Sequence, residues 1–314
     1  MGKASRTKVD SSRRERIAAQ RAAERRAEQR RRILIAAGSI IAVVAVVVAF
    51  IVVKANSKPP ASTASNGPTG AALASVVSNL TSVPASTTDQ IGSGGGQVNA
   101  TPKAVTNGTP LTANGKPEML YMGAEYCPYC AAERWAMIQA LSRFGTFSGL
   151  STVHSASVNG AGQAEPYPNT PTFTFHGSSY TSKYLTFTPV ETQTNIPDKT
   201  SGGYTTLQTP TKDQQALLTK YDVPPYVPSG SEGAIPFIYF GGKYIIAGAS
   251  YNPQVLAGLS WSKIASEVKN NPDSKVAKAV VGTANYITAA ICKMTGNQPA
   301  SACTSTVQSL ENKL

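Results

Sequence analysis

Two cysteines separated by two residues, Cys127 and Cys130, are the side chains of this sequence best suited to covalent chemistry. Thiols at this spacing can close a small disulfide ring, in which one sulfur attacks a disulfide and the other resolves the mixed disulfide. As an alternative, two cysteines at this spacing could supply two of the four ligands of a structural zinc site. The remaining pair, Cys292 and Cys303, is too widely spaced to make a good second half. We therefore predict a redox-active dithiol, with no metal and no cofactor apart from its own disulfide.

The neighbouring residues predict how the chain positions this pair. Residues 119–122 form an apolar run typical of a buried strand, and an apolar stripe over residues 131–144 predicts a helix. Cys127 then lies at the N-terminus of that helix, where unpaired backbone N–H groups and the helix dipole favour a thiolate. We expect Cys127 to be the exposed attacking sulfur and Cys130 the shielded resolving one.

A second informative stretch, residues 232–248, predicts an antiparallel hairpin. Ile235 and Pro236 precede four apolar residues, two glycines turn the chain, and another apolar run follows. Proline is tolerated at the first residue of a strand, and an Ile-Pro bond can be cis.

The order of strand, CxxC, helix and later Ile-Pro hairpin resembles the thioredoxin superfamily. This resemblance implies an α/β, thioredoxin-like fold over residues 71–314. More closely, the stretch GAEYCPYCAAERWA and the Tyr- and Thr-rich middle resemble an uncharacterised actinobacterial and archaeal family, domain of unknown function 929. That family carries a thioredoxin-like domain, but its name implies no activity.

The resemblance to thioredoxins also implies the site residues. In that superfamily the proline is cis and packs against the active disulfide, while the backbone of the preceding residue pairs with the substrate chain. The catalytic candidates are therefore Cys127, Cys130 and Pro236, and the substrate-binding candidates are Ile235, Tyr126 and Tyr129.

One departure from the superfamily concerns proton handling. Thioredoxins usually carry a buried acid six residues before the first cysteine, and Tyr121 occupies that position here. Glu125 and Glu133 are the candidates to transfer protons instead. The alternative is that both are solvated, with Glu133 on the exposed face of the helix.

The rest of the domain contains an insertion and a C-terminal helical extension. Residues near 160–231 are predicted to be the insertion, which forms either a substrate groove over the CPYC site or a cap on the sheet. A closing helix over 253–270 and a further helix over 274–294 follow. We expect a structural disulfide between Cys292 and Cys303, with a shuttle pair serving a membrane partner as the alternative.

The N-terminal part predicts a single-pass cell-membrane protein. The net charge is +12, and 12 of the 29 basic residues lie in the tail, residues 1–32. Residues 33–53 are uncharged and span about 31 Å as a helix, close to one hydrocarbon core. The positive-inside rule places the tail in the cytoplasm and, after a flexible linker over 54–70, the domain outside. A signal peptide cleaved near residues 53–55 is the alternative.

Two functions of different classes fit these features. The favoured one is a membrane-tethered extracytoplasmic thiol–disulfide oxidoreductase that forms or isomerises disulfides in cysteine-containing client proteins. By analogy with the superfamily, a quinone-coupled membrane thiol oxidase is its candidate partner. The alternative is a non-catalytic thioredoxin-like binding or scaffold subunit of a membrane complex. The basic tail either sets the topology or binds membrane lipid. Nucleic acid is not expected, because no aromatic residues interleave the charges.

Overall fold

The computed structural model describes residues 67–314 of the chain. The expectations for the tail (1–32), the apolar stretch (33–53) and nearly all of the linker (54–70) concern residues outside that range. Within residues 67–314, no helix combines the length and the hydropathy that a membrane crossing requires. The first described helix begins at Gly70, next to the predicted start of the domain.

The described residues form a mixed α/β architecture. Its helices are α1 (Gly70–Thr81), α2 (Ala85–Ile91), α3 (Pro128–Leu141), α4 (Lys212–Tyr221), a 3-10 helix (Pro253–Leu256), α5 (Trp261–Asn270), α6 (Lys275–Thr295) and α7 (Ser305–Glu311). Its strands are β1 (Lys103–Ala104), β2 (Thr112–Ala113), β3 (Lys116–Gly123), β4 (Gly145–Ser148), β5 (Ser151–His154), β6 (Pro171–Thr174), β7 (Ser179–Ser182), β8 (Thr186–Glu191), β9 (Gln193–Pro197), β10 (Tyr204–Thr206), β11 (Phe237–Phe240) and β12 (Tyr244–Ala247).

A mixed sheet lies at the centre of this domain. Strand β3 pairs in parallel with β8 and antiparallel with β11, and β11 pairs antiparallel with β12. The short strands β1 and β2 pair with β12 and β3. Asn114 and Gly115 connect β2 to β3 with φ values of 53° and 71°, the positive values that a tight two-residue hairpin requires.

Helix α3 follows β3 and is enclosed on all sides. Each of its residues except Tyr129 is buried, because α1, α6 and β6 pack around it. Trp135 illustrates the packing: its ring lies edge-on to Phe173, and its indole N–H donates a 2.9 Å hydrogen bond to the carbonyl of Pro171. The predicted amphipathic stripe is therefore only one part of a helix that has no solvated face.

The predicted insertion near residues 160–231 needs a correction. Residues Thr186–Glu191 form β8, which belongs to the central sheet beside β3. The sequence of β8 alternates Thr with apolar residues, and this pattern does not reveal which distant strand it will join. The β9–β10 hairpin and α4 account for other parts of the range.

Two further elements follow the hairpin of β11 and β12. The helix predicted over 253–270 is divided into the 3-10 helix and α5, with Gly258 at φ 71° between them. Helices α6 and α7 form the C-terminal extension and pack against each other. A disulfide joins Cys292 of α6 to Cys303, which lies just before α7. It therefore ties the end of the chain to α6.

Candidate active site

The loop between β3 and α3 places Cys127 at the start of the helix. Cys127 is the N-cap residue of α3, with extended backbone angles of φ −72° and ψ 120°. Its sulfur accepts a 3.1 Å hydrogen bond from the backbone N–H of Cys130. Pro128 takes the first helical position, where its missing N–H costs no hydrogen bond. The sulfur therefore occupies the place where a helix end stabilises negative charge.

Both cysteines are free thiols, and both are buried. Cys127 is 3% exposed and Cys130 is 0% exposed, so the expectation of an exposed attacking sulfur is wrong for this conformation. The loop on one side and Ile235 on the other close over Cys127, and the sequence pattern did not reveal that cover. Desolvation raises the pKa of Cys130 well above its usual value, as does the hydrogen bond with Cys127, while Arg134 and the backbone of Ala124 oppose the rise.

The hairpin brings Ile235 and Pro236 to the cysteines. The Ile235–Pro236 peptide bond is cis, and Pro236 is buried. The Cys127 thiol faces the carbonyl oxygen of Ile235 at 3.7 Å. Ala124, Cys127 and Cys130 form a small buried cluster, with Tyr126 and Ile235 packed against it. Residues separated by more than 100 positions thus meet at one sulfur atom.

Tyrosines from the middle of the chain frame the cysteine loop. Tyr126 stacks on Tyr204 with ring centroids 4.1 Å apart, and the Tyr204 hydroxyl donates a 2.6 Å hydrogen bond to Glu165. Tyr129 meets Tyr167 edge-to-face at 5.9 Å. Tyr167 has a φ of 51°, which is uncommon for a bulky residue. The middle segment therefore supplies side chains to this site as well as strand β8 to the sheet.

A groove of about 430 Å³ opens beside this frame. None of the described residues that line it carries a charge. Tyr129, which is 38% exposed, and Ile235 stand on its cysteine side. Its walls include Tyr129, Tyr167, Ile235, Ala247, Tyr251 and Pro253. The substrate-binding candidates Tyr129 and Ile235 therefore share one cavity, whereas Tyr126 packs against Tyr204.

The two candidate proton carriers are both buried. Glu125 is 0% exposed in the cysteine loop, and its backbone N–H donates to the carbonyl of Gln193 at 2.9 Å. Glu133 accepts hydrogen bonds from the backbone N–H of Ser250 at 2.8 Å and from its hydroxyl at 2.9 Å. Burial raises the pKa of Glu133 to about 7, although both hydrogen bonds oppose the rise. The alternative that these carboxylates are solvated is therefore wrong: Glu125 is covered within the loop, and Glu133 lies on a helix that has no solvated face.

A buried ion pair that was not predicted from the sequence lies next to this site. Arg134 and Glu191 make a two-point contact, with Nε–Oε1 and Nη2–Oε2 distances of 2.8 Å, and both side chains are fully buried. Nη2 of Arg134 also donates a 2.6 Å hydrogen bond to the carbonyl of Ala124 in the cysteine loop. One signal was present in the sequence: Arg134 stands four residues after Cys130 and four before Ile138, within an apolar stripe.

One comparison with known proteins finds a match. A family model described as a domain of unknown function (DUF929) covers residues 103–293. No curated protein and no solved structure matches the chain. The match takes in the central sheet, α3 with both free cysteines, and the Ile-Pro hairpin. Because the match spans more than half of the 314 residues, the chain belongs to the DUF929 family.

Proposed function

We propose that this chain is a membrane-tethered, extracytoplasmic thiol–disulfide oxidoreductase with a thioredoxin-like fold, which forms or isomerises disulfide bonds in client proteins. One observation carries the proposal. The sulfur of Cys127 lies at a helix N-terminus, 3.7 Å from the carbonyl oxygen that precedes the buried Pro236. The Cys127 thiol donates to that oxygen, which keeps a second lone pair for an extended client segment beside the nucleophilic sulfur.

The strand order supports the thioredoxin-like part of the proposal. Four strands run β8–β3–β11–β12, with β8 parallel to β3 and the other two pairings antiparallel. The helix that follows the central strand β3 starts at the cysteine pair, and the Ile-Pro bond enters β11. Strand, CxxC, helix and a later Ile-Pro hairpin therefore follow one another as the resemblance to the thioredoxin superfamily implies.

The chemistry needs only the two sulfurs of the oxidised pair. A client thiolate attacks Cys127, the bond between Cys127 and Cys130 breaks, and Cys130 keeps the electron pair and takes up a proton. A second client thiolate then attacks the client sulfur of the mixed disulfide, so that a client disulfide forms and Cys127 leaves as a thiolate. A quinone-coupled membrane thiol oxidase is the proposed acceptor for the two electrons. The redox-active disulfide is the only cofactor proposed.

The groove is the proposed client site. An extended segment hydrogen-bonds to the main chain at Ile235, and a side chain next to the client cysteine enters the cavity beside Tyr129. Since the described lining is uncharged, uncharged client residues are favoured at that position. Tyr126 stabilises the cysteine loop through its stack with Tyr204.

The proposed location rests on the sequence and on one disulfide. The apolar stretch 33–53 would anchor the chain in the cell membrane, with residues 1–32 near cytoplasmic lipid headgroups. The bond between Cys292 and Cys303 suits an oxidising compartment outside the cytoplasm.

The test uses the full-length protein and reduced, unfolded ribonuclease A as the probe. We expect the oxidised protein to form disulfides in the probe faster than glutathione disulfide alone does. After conversion of Cys127 to its mixed disulfide with glutathione, the Cys130→Ser variant should exchange the glutathione for a probe thiol and accumulate a mixed disulfide with the probe, because the resolving sulfur is missing. The matched control Cys127→Ser should accumulate none. The proposal would be refuted if both variants accumulated the same amount of mixed disulfide and the oxidised wild-type protein did not accelerate oxidation of the probe.

One observation favours the second candidate, a non-catalytic thioredoxin-like binding or scaffold subunit of a membrane complex. The attacking sulfur is only 3% exposed, which suits a structural thiol pair. A scaffold would keep its co-purifying partners and its cellular phenotype when both Cys127 and Cys130 are replaced by Ser. Loss of both properties would exclude the scaffold and favour the enzyme.

A further inference from the structure

The ion pair of Arg134 and Glu191 lies close to Tyr121 and to the cysteine loop. The buried ring of Tyr121 lies 6.0 Å from the guanidinium carbon of Arg134. The guanidinium is held from two sides, by the carboxylate of Glu191 at the end of β8 and by the Ala124 carbonyl. A fully buried charge is costly to place, so its position next to the cysteine loop calls for an explanation.

Contacts link Arg134 to both cysteines. The Ala124 carbonyl that accepts from Arg134 also accepts from the backbone N–H of Cys127, at 3.3 Å. The backbone of Ala124 also acts on Cys130 and lowers the pKa of its thiol, against the larger effect of burial. Arg134 stands one helical turn after Cys130, on the same face of α3. It therefore holds the loop that carries both sulfurs and lies close to the sulfur that leaves first.

Buried donors in the same cluster remain unused. Within residues 67–314, neither the Tyr121 hydroxyl nor Nη1 of Arg134 has a hydrogen-bond partner. Buried groups of this kind need an explanation, and a neighbouring atom that gains negative charge during a reaction supplies one. The titratable or charged groups that interact with Cys130 are Cys127, Arg134, Tyr121 and Tyr126, with Glu191 acting on Tyr121 and Arg134.

We propose that Arg134 is a positioning residue for disulfide exchange, which fixes the Ala124–Cys127 loop and stabilises the Cys130 sulfur as it leaves. This inference rests on the proposed function. In the step concerned, a client thiolate bonds to Cys127, the Cys127–Cys130 bond breaks, and the electron pair leaves on Cys130. The proton given up by the client thiol ends on that sulfur. Glu191 orients the arginine and partly neutralises its charge, so the pair sets how strongly the negative charge on the leaving sulfur is stabilised.

The test is the rate constant with which glutathione opens the oxidised pair of the full-length protein, measured for substitutions of opposite sign, because the arginine charge acts on the Cys130 sulfur while it leaves. Removing an opposite charge near a thiolate changes its stability by about tenfold or more. Arg134→Met should therefore lower this rate constant by about tenfold. Glu191→Gln leaves the arginine charge uncompensated and should raise the rate constant. Arg134→Lys keeps the charge and should lie between the wild type and Arg134→Met.

Arg143→Met is the matched control. It removes an arginine just after the far end of α3, about 20 Å of helix from Cys130, and should leave the constant unchanged. Shifts of the same sign for Arg134→Met and Glu191→Gln, or shifts no larger than that of Arg143→Met, would overturn the inference. If Arg134→Met loses the near-ultraviolet circular dichroism of the wild type, its fold is disturbed, and the inference is then tested with Glu191→Gln alone. A constant for Glu191→Gln that equals or falls below the wild-type constant overturns the inference.

The same measurement separates this inference from the proposed function. A wild-type pair that does not exchange with glutathione at all refutes the oxidoreductase itself. If the wild-type pair does exchange with glutathione, but Arg134→Met and Glu191→Gln do not shift the constant in opposite directions, only the role of Arg134 is refuted.

Discussion

Glu133 is expected to make the stability of this domain fall as the pH rises towards neutrality. Its carboxyl group is 0% exposed in α3, and its folded-state pKa is about 7 against an ordinary value of 4.5. Because the folded pKa is raised, the folded state binds the proton more tightly than the unfolded chain does. The stability that this proton contributes is complete below pH 4.5, declines as the pH rises and is gone above about pH 7.

The magnitude follows from the size of that pKa shift. Each pKa unit corresponds to about 1.4 kcal/mol, so Glu133 should change the free energy of unfolding by about 3 kcal/mol across this window. Glu133→Gln keeps the shape of the side chain and an acceptor oxygen for Ser250, but it cannot ionise. The difference in unfolding free energy between the wild type and Glu133→Gln should therefore change by about 3 kcal/mol between pH 4.5 and pH 8, in favour of the variant at high pH.

Urea unfolding of the full-length protein, followed by tryptophan fluorescence at four pH values in this window, measures that difference. Glu267→Gln is the matched control, because the pKa of Glu267 is lowered by its hydrogen bond with Lys263, and this residue stays ionised above pH 4.5. Asp222, whose burial raises its pKa to about 6, contributes equally to the wild type and to both variants. A constant difference between the wild type and Glu133→Gln over the whole window would show that the carboxylate is not buried as described.

Two further predictions concern the C-terminal disulfide and the groove. Replacing both Cys292 and Cys303 with Ser should cost about 3 kcal/mol of unfolding free energy, because the bond closes a loop of sequence separation 11. The variant should still oxidise ribonuclease A at the wild-type rate, and a slower rate would instead favour the shuttle pair. Tyr167→Ala removes the edge-to-face partner of Tyr129 and should raise KM for a cysteine peptide with an aromatic neighbour, without moving the glutathione equilibrium. An unchanged KM would exclude Tyr167 from client binding.

Local features of the site were predictable from the sequence. The strand before the cysteines, the helix after them and the N-cap position of Cys127 all follow from patterns that extend over a few neighbouring residues. The Asn-Gly turn and the Ile-Pro hairpin are local in the same sense. Each of these features depends on contacts between residues close in the chain, and such contacts leave a periodicity or a turn signal in the sequence.

Features made by distant residues were not predictable in this way. Arg134 meets Glu191 across 57 positions, and Glu133 meets Ser250 across 117. A lone charged residue in a sequence is usually solvated, so the place of Arg134 within an apolar stripe was the one local sign of burial, and Glu133 had none. The cover over Cys127 likewise comes from Ile235, 108 positions away.

The position of the cysteine pair within its strand–loop–helix unit follows from the local sequence, because capping and periodicity act over one or two turns. The surroundings of that pair depend on how distant elements pack. The tertiary structure placed β8 beside β3, closed both faces of α3, and thereby converted Glu133 and Arg134 from ordinary helix residues into buried charges. Burial depends on which elements pack together, and a partner distant in the chain leaves no periodic mark near the residue that it covers.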